Sequence, residues 1–467
     1  MPRTLLWSSG LPWAIRPTTL RAVPERSRLT RYLERAPTAV FTLYAVVAAF
    51  GAYFCMYAYR KAFAAGTFAG SVDLLGLALD RKTVLVLSQV AGYCASKFLG
   101  IKIVSELRPE RRAVAIVGCI SIAEGALLLL PLLPPSLEGF ALLLNGLPLG
   151  LVWGLVFGFL EGRRTSEILG AGLCASFIVA SGAVKSVGKW LLDSGVAEDW
   201  MPAATGALFF PPLLVCALLL RYMPPPSPAD EAARSKRAPM DAAARAAFAR
   251  RFAPGLFLLV GLYILLTAVR DFRDNFAREI WDALGYSEAP SVLATAEVPV
   301  AVLALLTVAV MIAIRDNRRA LLAVHGAMLI GVLVAAGATL LFRAGSIGPA
   351  AWMIAIGSGL YIAYVPYNCV LFDRLVAATS SIATAGFLIY VADAFGYLGS
   401  SALLLYKNLG HPSLPWVDFL ASTTLVTGAA GAGVYVVSAA YFWKKTRTGD
   451  VKSPAPAPSP VSRSPAS

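Results

Sequence analysis

The chain has 467 residues, of which 58% are hydrophobic and only 15% charged, with a formal net charge of +14 and a mean hydropathy of +0.68. Two or three water-soluble domains of that length would carry far more charge, so the composition excludes a soluble class and indicates a multi-span membrane protein. Apolar stretches of about twenty residues without strand-like alternation argue against a β-barrel, and the cations lie mostly between those stretches, where they set topology and do not make a nucleic-acid surface.

Residues 1–37 form a basic N-terminal segment with seven Arg and two acids up to Ala36 and no continuous apolar run of the kind a secretory signal needs. Its Arg-rich, acid-poor character loosely resembles an organelle transit peptide; we read it as a cytoplasmic lead-in or an overlong start. Twelve helical spans follow at approximately 38–62, 83–105, 112–134, 138–161, 167–192, 203–222, 253–278, 291–314, 320–342, 349–372, 382–406 and 417–443. The fold class is therefore all-α and polytopic. The longest polar stretch between spans lies within 223–252 and divides the chain into a six-helix half at 38–222 and another at 253–443, and the Pro- and Ser-rich tail at 444–467 is expected to be disordered.

Alternate loops carry the cations: "ELRPERR", "EGRR", "RDNRR" and "DRL". The positive-inside rule then places both termini in the cytoplasm, with the bacterial inner membrane as the expected location. The six cysteines, Cys55, Cys94, Cys119, Cys174, Cys216 and Cys369, fall within apolar spans without a C-x-x-C pair, and the only histidines are His325 and His411. That leaves no disulfide framework, metal centre or cofactor motif to expect. No H-E-x-x-H or G-x-S-x-G constellation points to an enzyme.

Charges inside spans carry the functional information. An ionisable side chain near a helix centre costs about 2.5 to 3.5 kcal/mol on insertion scales, so each needs a partner, a cavity or a route to the headgroups. Arg60 ends a face shared with Phe50, Tyr53 and Tyr57 in the first span. It either snorkels to the outer headgroups or faces a polar cavity; Lys61, about 100° away around the helix, reads as an interfacial anchor. Lys97 follows Gln89 and Tyr93 at four-residue spacing in the second span and reads as cavity-facing. In the fifth span Lys185 is the cavity candidate, whereas Lys189 is close enough to the outer end to snorkel. In the seventh, Tyr263, Thr267, Arg270 and Asp274 share a face, and Arg270 either pairs with Asp274 or Asp271 or binds a ligand. Tyr361, Tyr364 and Asn368 in the tenth span offer neutral hydrogen-bonding groups. Asp393, flanked by Tyr390 and Tyr397 in the eleventh, together with Glu124, Glu297 and Asp274, supplies acids for charge pairing or for proton coupling.

The halves echo each other: aligning Arg60 with Arg270 also aligns Gly51 with Gly261 and Tyr53 with Tyr263, and the basic loops "ELRPERR" and "RDNRR" follow the second and eighth spans. With "FGAYFCMYAYRKAF" at 50–63, "YCASKF" at 93–98, Gly386-Phe387 and "FGYLG" at 395–399, the chain resembles the major facilitator superfamily and, within it, the organophosphate:phosphate antiporters. The loop signature of the superfamily is altered around Gly100 to Arg112, and no histidine occupies the fifth span, which makes this a divergent branch. The resemblance implies that Arg60 and Arg270 clamp one anion between the halves, that Lys97 contributes to the binding site, and that Lys185 replaces the missing histidine's charge.

Taken together, the expected substrate-binding set is Arg60, Arg270, Lys97, Lys185, Tyr53, Tyr57, Tyr93, Tyr263, Tyr361 and Asn368. The expected activity is secondary transport of a phosphorylated or carboxylated organic anion by a monomer, by exchange for inorganic phosphate or another anion. A non-transporting sensor of an anionic ligand, a proton-coupled transporter and a lipid flippase are the alternatives.

Overall fold

The structure, a computed structural model, describes residues 27–447 apart from 75, 162, 164, 229, 231–241, 290, 380–384 and 412. Most of the N-terminal segment, the middle of the linker and nearly all of the expected disordered tail therefore lie outside the described residues.

Among the described residues, twelve long helices run in chain order. The first six are Thr38–Lys61, Arg81–Glu106, Pro109–Leu129, Glu138–Leu160, Ser166–Asp193 and Met201–Arg221. Ala253–Asn275, Glu297–Ala313, Asn317–Arg343, Pro349–Cys369, Ala385–Leu405 and Trp416–Arg447 follow. Among the described residues, eleven helices are long and apolar enough to cross a membrane. The second span, Arg81–Glu106, matches its neighbours in length at 26 residues and carries Arg81, Lys82, Gln89 and Lys97. Arg81, Lys82 and Lys97 each meet a carboxylate. Twelve crossings place residues 38 and 443 on one side of the bundle, here the terminal side; the opposite end is the far side.

Several boundaries differ from the sequence expectation for local reasons. The seventh span stops at Asn275, and after Phe276 a short helix, Ala277–Ala283, begins. The eighth opens with a separate turn, Val292–Thr295. The tenth breaks at Val370, four residues after the internal Pro366, into the short helix Leu371–Ala378. Between the first two spans lies an antiparallel hairpin, Ser71–Leu74 against Leu77–Asp80, which hydropathy does not distinguish from a loop. Gly76 closes its turn with a φ of +81°, a conformation that favours glycine, and donates its N–H to Asp73 Oδ1.

Helices approach closely where side chains vanish. A Cβ on Gly146 would lie 2.2 Å from the Gln89 carbonyl oxygen, and one on Gly92 would lie 2.2 Å from that of Leu143, so the second and fourth spans touch backbone to backbone. In the other half, Gly331 and Gly359 do the same for the ninth and tenth spans. The first, second and fifth spans face the seventh, eighth, tenth and eleventh across a central interface.

Candidate functional site

Arg60 lies one residue from the end of its helix, but the turn Ala62–Ala65 and the hairpin continue beyond it, and its side chain is only 6% exposed. The guanidinium carbon sits 4.0 Å from the centroid of the Tyr93 ring, well inside the bundle. Its Nη1 and Nη2 donate to the hydroxyls of Tyr57 and Tyr397, each at 3.4 Å. Such long bonds leave donor capacity unspent.

Arg270 repeats this arrangement from the other half. Its guanidinium carbon lies 4.0 Å from the Tyr364 centroid. Nη2 donates to Asp271 Oδ1 at 2.6 Å, while the buried Nε has no partner among the described residues. Of the two pairings open from sequence, the neighbour Asp271 is therefore the one formed. Asp274 instead accepts from Lys61 and Lys185 of the first half, each at 2.7 Å, and from the Ser181 hydroxyl.

Lys97 meets Asp393 Oδ2 at 3.4 Å and stands 5.0 Å from the Tyr93 ring and 5.7 Å from that of Tyr390. The other oxygen of Asp393 accepts the Tyr263 hydroxyl at 2.5 Å; that hydroxyl lies 2.9 Å from the Tyr364 hydroxyl, and Asn368 approaches it at 3.5 Å. Asp393 thus joins a cation of one half to a tyrosine network of the other.

These groups surround a small cavity of about 30 Å³. Arg60, Lys97 and Arg270 supply its positive charge, Asp393 and Asn368 its remaining polar groups outside the tyrosines. Tyr53, Tyr57, Tyr93, Tyr364 and Tyr397, with Trp153 and Phe177, supply its walls. Ring contacts brace them: Tyr53 and Trp153 are 5.3 Å apart, Tyr93 and Tyr397 5.0 Å. Guanidiniums over aromatic faces keep their edge N–H groups free for an oxyanion, which they grip through paired, charge-assisted hydrogen bonds.

Other expected residues are placed elsewhere. Tyr263 stands behind the cavity, bonded to Asp393, and buried Tyr361 packs between Phe177 and Tyr364, at 6.4 Å from each. Lys185 is committed to Asp274 beyond the cavity and does not line it. Glu297 pairs with Arg273 at 2.8 Å. Glu124 meets no cation among the described residues; it approaches Gly206 of the sixth span, and its buried Oε2 has no partner. Lys61 corrects the sequence reading outright. Far from anchoring at a membrane interface, it is 3% exposed and bonded to both Asp274 and Asn275. Trp153 and Phe177 were missed, because an aromatic within an apolar run carries no contrast that marks it.

Among the described residues, four ion pairs join the halves: Lys97–Asp393 level with the cavity, and Lys61–Asp274, Lys185–Asp274 and Lys82–Glu279 beyond it on the far side.

A family of unknown function, DUF5690, matches residues 62–445. The chain belongs to that family. A search among curated proteins gives no match. Solved structures similar to this member of DUF5690 include a D-xylose-proton symporter, with a TM-score of 0.58 at 16% identity over 88% of this chain and 99% of that one. A bacterial homolog of the human lysosomal transporter Spinster, inward-facing and unoccupied, gives 0.55 at 15% identity over 88% and 99%. The D323A mutant of the nucleoside transporter NupG gives 0.53 at 14% over 86% and 99%. At such identities the likeness establishes the fold, which is that of the major facilitator superfamily.

Proposed function

We propose that this DUF5690 protein is a secondary transporter, not an enzyme, and that it carries a small organic anion, a phosphate ester or a carboxylate, through the membrane by alternating access of its two six-helix halves. One observation carries the reading: Arg60 and Arg270, at equivalent places in the two halves, reach a single cavity with guanidinium capacity left over. Buried cations in that number are too costly to keep without a purpose, and fork geometry on opposite walls suits an oxyanion. The transporter identities of the structural neighbours support the transport half of the reading.

In this reading the terminal side faces the cytoplasm of a bacterial cell, residues 38–222 and 253–443 are the moving halves, and the far-side ion pairs hold the outer entrance shut. The two arginines favour exchange: an anion that bridges Arg60 and Arg270 stabilises an intermediate that the empty site lacks, so passage is easier loaded than empty. The organophosphate:phosphate antiporter resemblance points the same way.

The test is a ligand screen by thermal shift on purified wild type and Arg270→Ala, spanning phosphate esters, carboxylates and neutral sugars. Stabilisation by anions that disappears in the variant is expected. Stabilisation by neutral compounds alone overturns the proposal.

A further inference from the structure

The charges around the cavity can be counted, and the count narrows the class of anion beyond what the pair of arginines implies. Lys97 is matched by Asp393 at 3.4 Å, and Arg270 by Asp271 at 2.6 Å. Arg60 meets no carboxylate among the described residues; its two bonds go to neutral tyrosine hydroxyls. Arg273 is matched by Glu297, and Lys61 and Lys185, two cations on the one carboxylate of Asp274, lie beyond the cavity and do not line it. At the cavity itself, three cations set against two carboxylates leave one positive charge.

Resting on the anion-transport reading, we propose that the site is matched to a monovalent carboxylate on a planar, ring-bearing body, and that Asp393 sets this preference by occupying Lys97. A monovalent carboxylate neutralises Arg60 and leaves the cavity without net charge. A dianion leaves it one negative charge in excess, buried among aromatic walls where such a charge is poorly solvated. The body of the substrate meets Tyr57, Tyr93, Trp153 and Phe177, whose rings offer stacking and edge contacts to a flat group.

Asp393 is the lever because its two oxygens do different things: Oδ2 faces Lys97, and Oδ1 accepts the Tyr263 hydroxyl. Asparagine can keep the second bond through its carbonyl oxygen while removing the negative charge. The Asp393→Asn cavity then carries two excess positive charges, which suits a dianion.

Three probes with one ring and different charge separate the possibilities: benzoate, phenyl phosphate and benzamide. Binding is read from ligand-dependent thermal stabilisation of the full chain at pH 8, where phenyl phosphate is a dianion. Wild type is expected to prefer benzoate over phenyl phosphate by about tenfold or more, Asp393→Asn to reverse that order, and Asp393→Glu to keep it. Wild-type preference for phenyl phosphate, an unchanged order in Asp393→Asn, or no response to benzoate overturns the charge match. Benzamide binding as tightly as benzoate overturns the anion reading itself.

Discussion

Arg60 is held in place by the residues on its C-terminal side and by the ring beneath it. Its helix ends at Lys61, but the turn Ala62–Ala65 is wholly buried and the guanidinium carbon sits over the Tyr93 ring, 4.0 Å from its centroid. A lysine there keeps the charge and loses both the planar stacking and the fork, so Arg60→Lys is expected to weaken anion binding about tenfold and Arg60→Ala about a hundredfold, measured by titrating the stabilising anion in a thermal-shift assay. Equal affinity in Arg60→Lys and wild type would show that only the charge matters. At this scale the sequence was informative wherever a charge stood against an apolar background, as with Arg60, Lys97, Arg270 and Asp393. It misled at Lys61, whose position near a helix end suggested the headgroups although its partner, Asp274, lies more than two hundred residues away. It was silent on Trp153 and Phe177, which differ from core aromatics only in where they point.

Among the elements, the second and fourth spans set the shape of the first half through Gly92 and Gly146. A side chain on Gly146 must displace the backbone around Gln89, one turn from Tyr93, the ring on which Arg60 rests. Gly146→Val is expected to destabilise the protein by about 1–3 kcal/mol or more, seen as a lowered unfolding temperature in detergent. Gly118→Val, where an added Cβ meets nothing within 4 Å, serves as the control and should change little. Span existence was legible from runs of apolar residues, because the bilayer imposes one length on all of them. Breaks within and beside spans were not: the split before Glu297, the interruption at Val370 and the hairpin at Ser71–Asp80 depend on tertiary packing and short-range turn geometry that hydropathy does not register.

Across the whole molecule, Asp274 is the tie between halves on the far side, accepting from Lys61 and Lys185 at once. Asp274→Asn leaves two buried lysines without an acid, a change on the order of 3–5 kcal/mol when a buried ion pair is broken. The far side is therefore expected to open. Spin labels at Ser194 and Ser287, exposed at the far ends of the two halves, should report a longer, broader distance distribution in Asp274→Asn than in wild type; an identical distribution would remove Asp274 from the closure. The six-plus-six arrangement was anticipated from the Arg60 and Arg270 echo and the polar stretch at 223–252. The lock on the far side was not, since each of its pairs spans the two halves.

Anion transport through a cavity clamped by Arg60 and Arg270 is tested most directly by flux into proteoliposomes of the anion that stabilises the purified protein best, with and without the same anion inside. Uptake that is accelerated by internal anion, and that falls about a hundredfold or more in Arg60→Ala and in Arg270→Ala, is the predicted result. Undiminished uptake in both variants, or binding with no uptake at all, would contradict it.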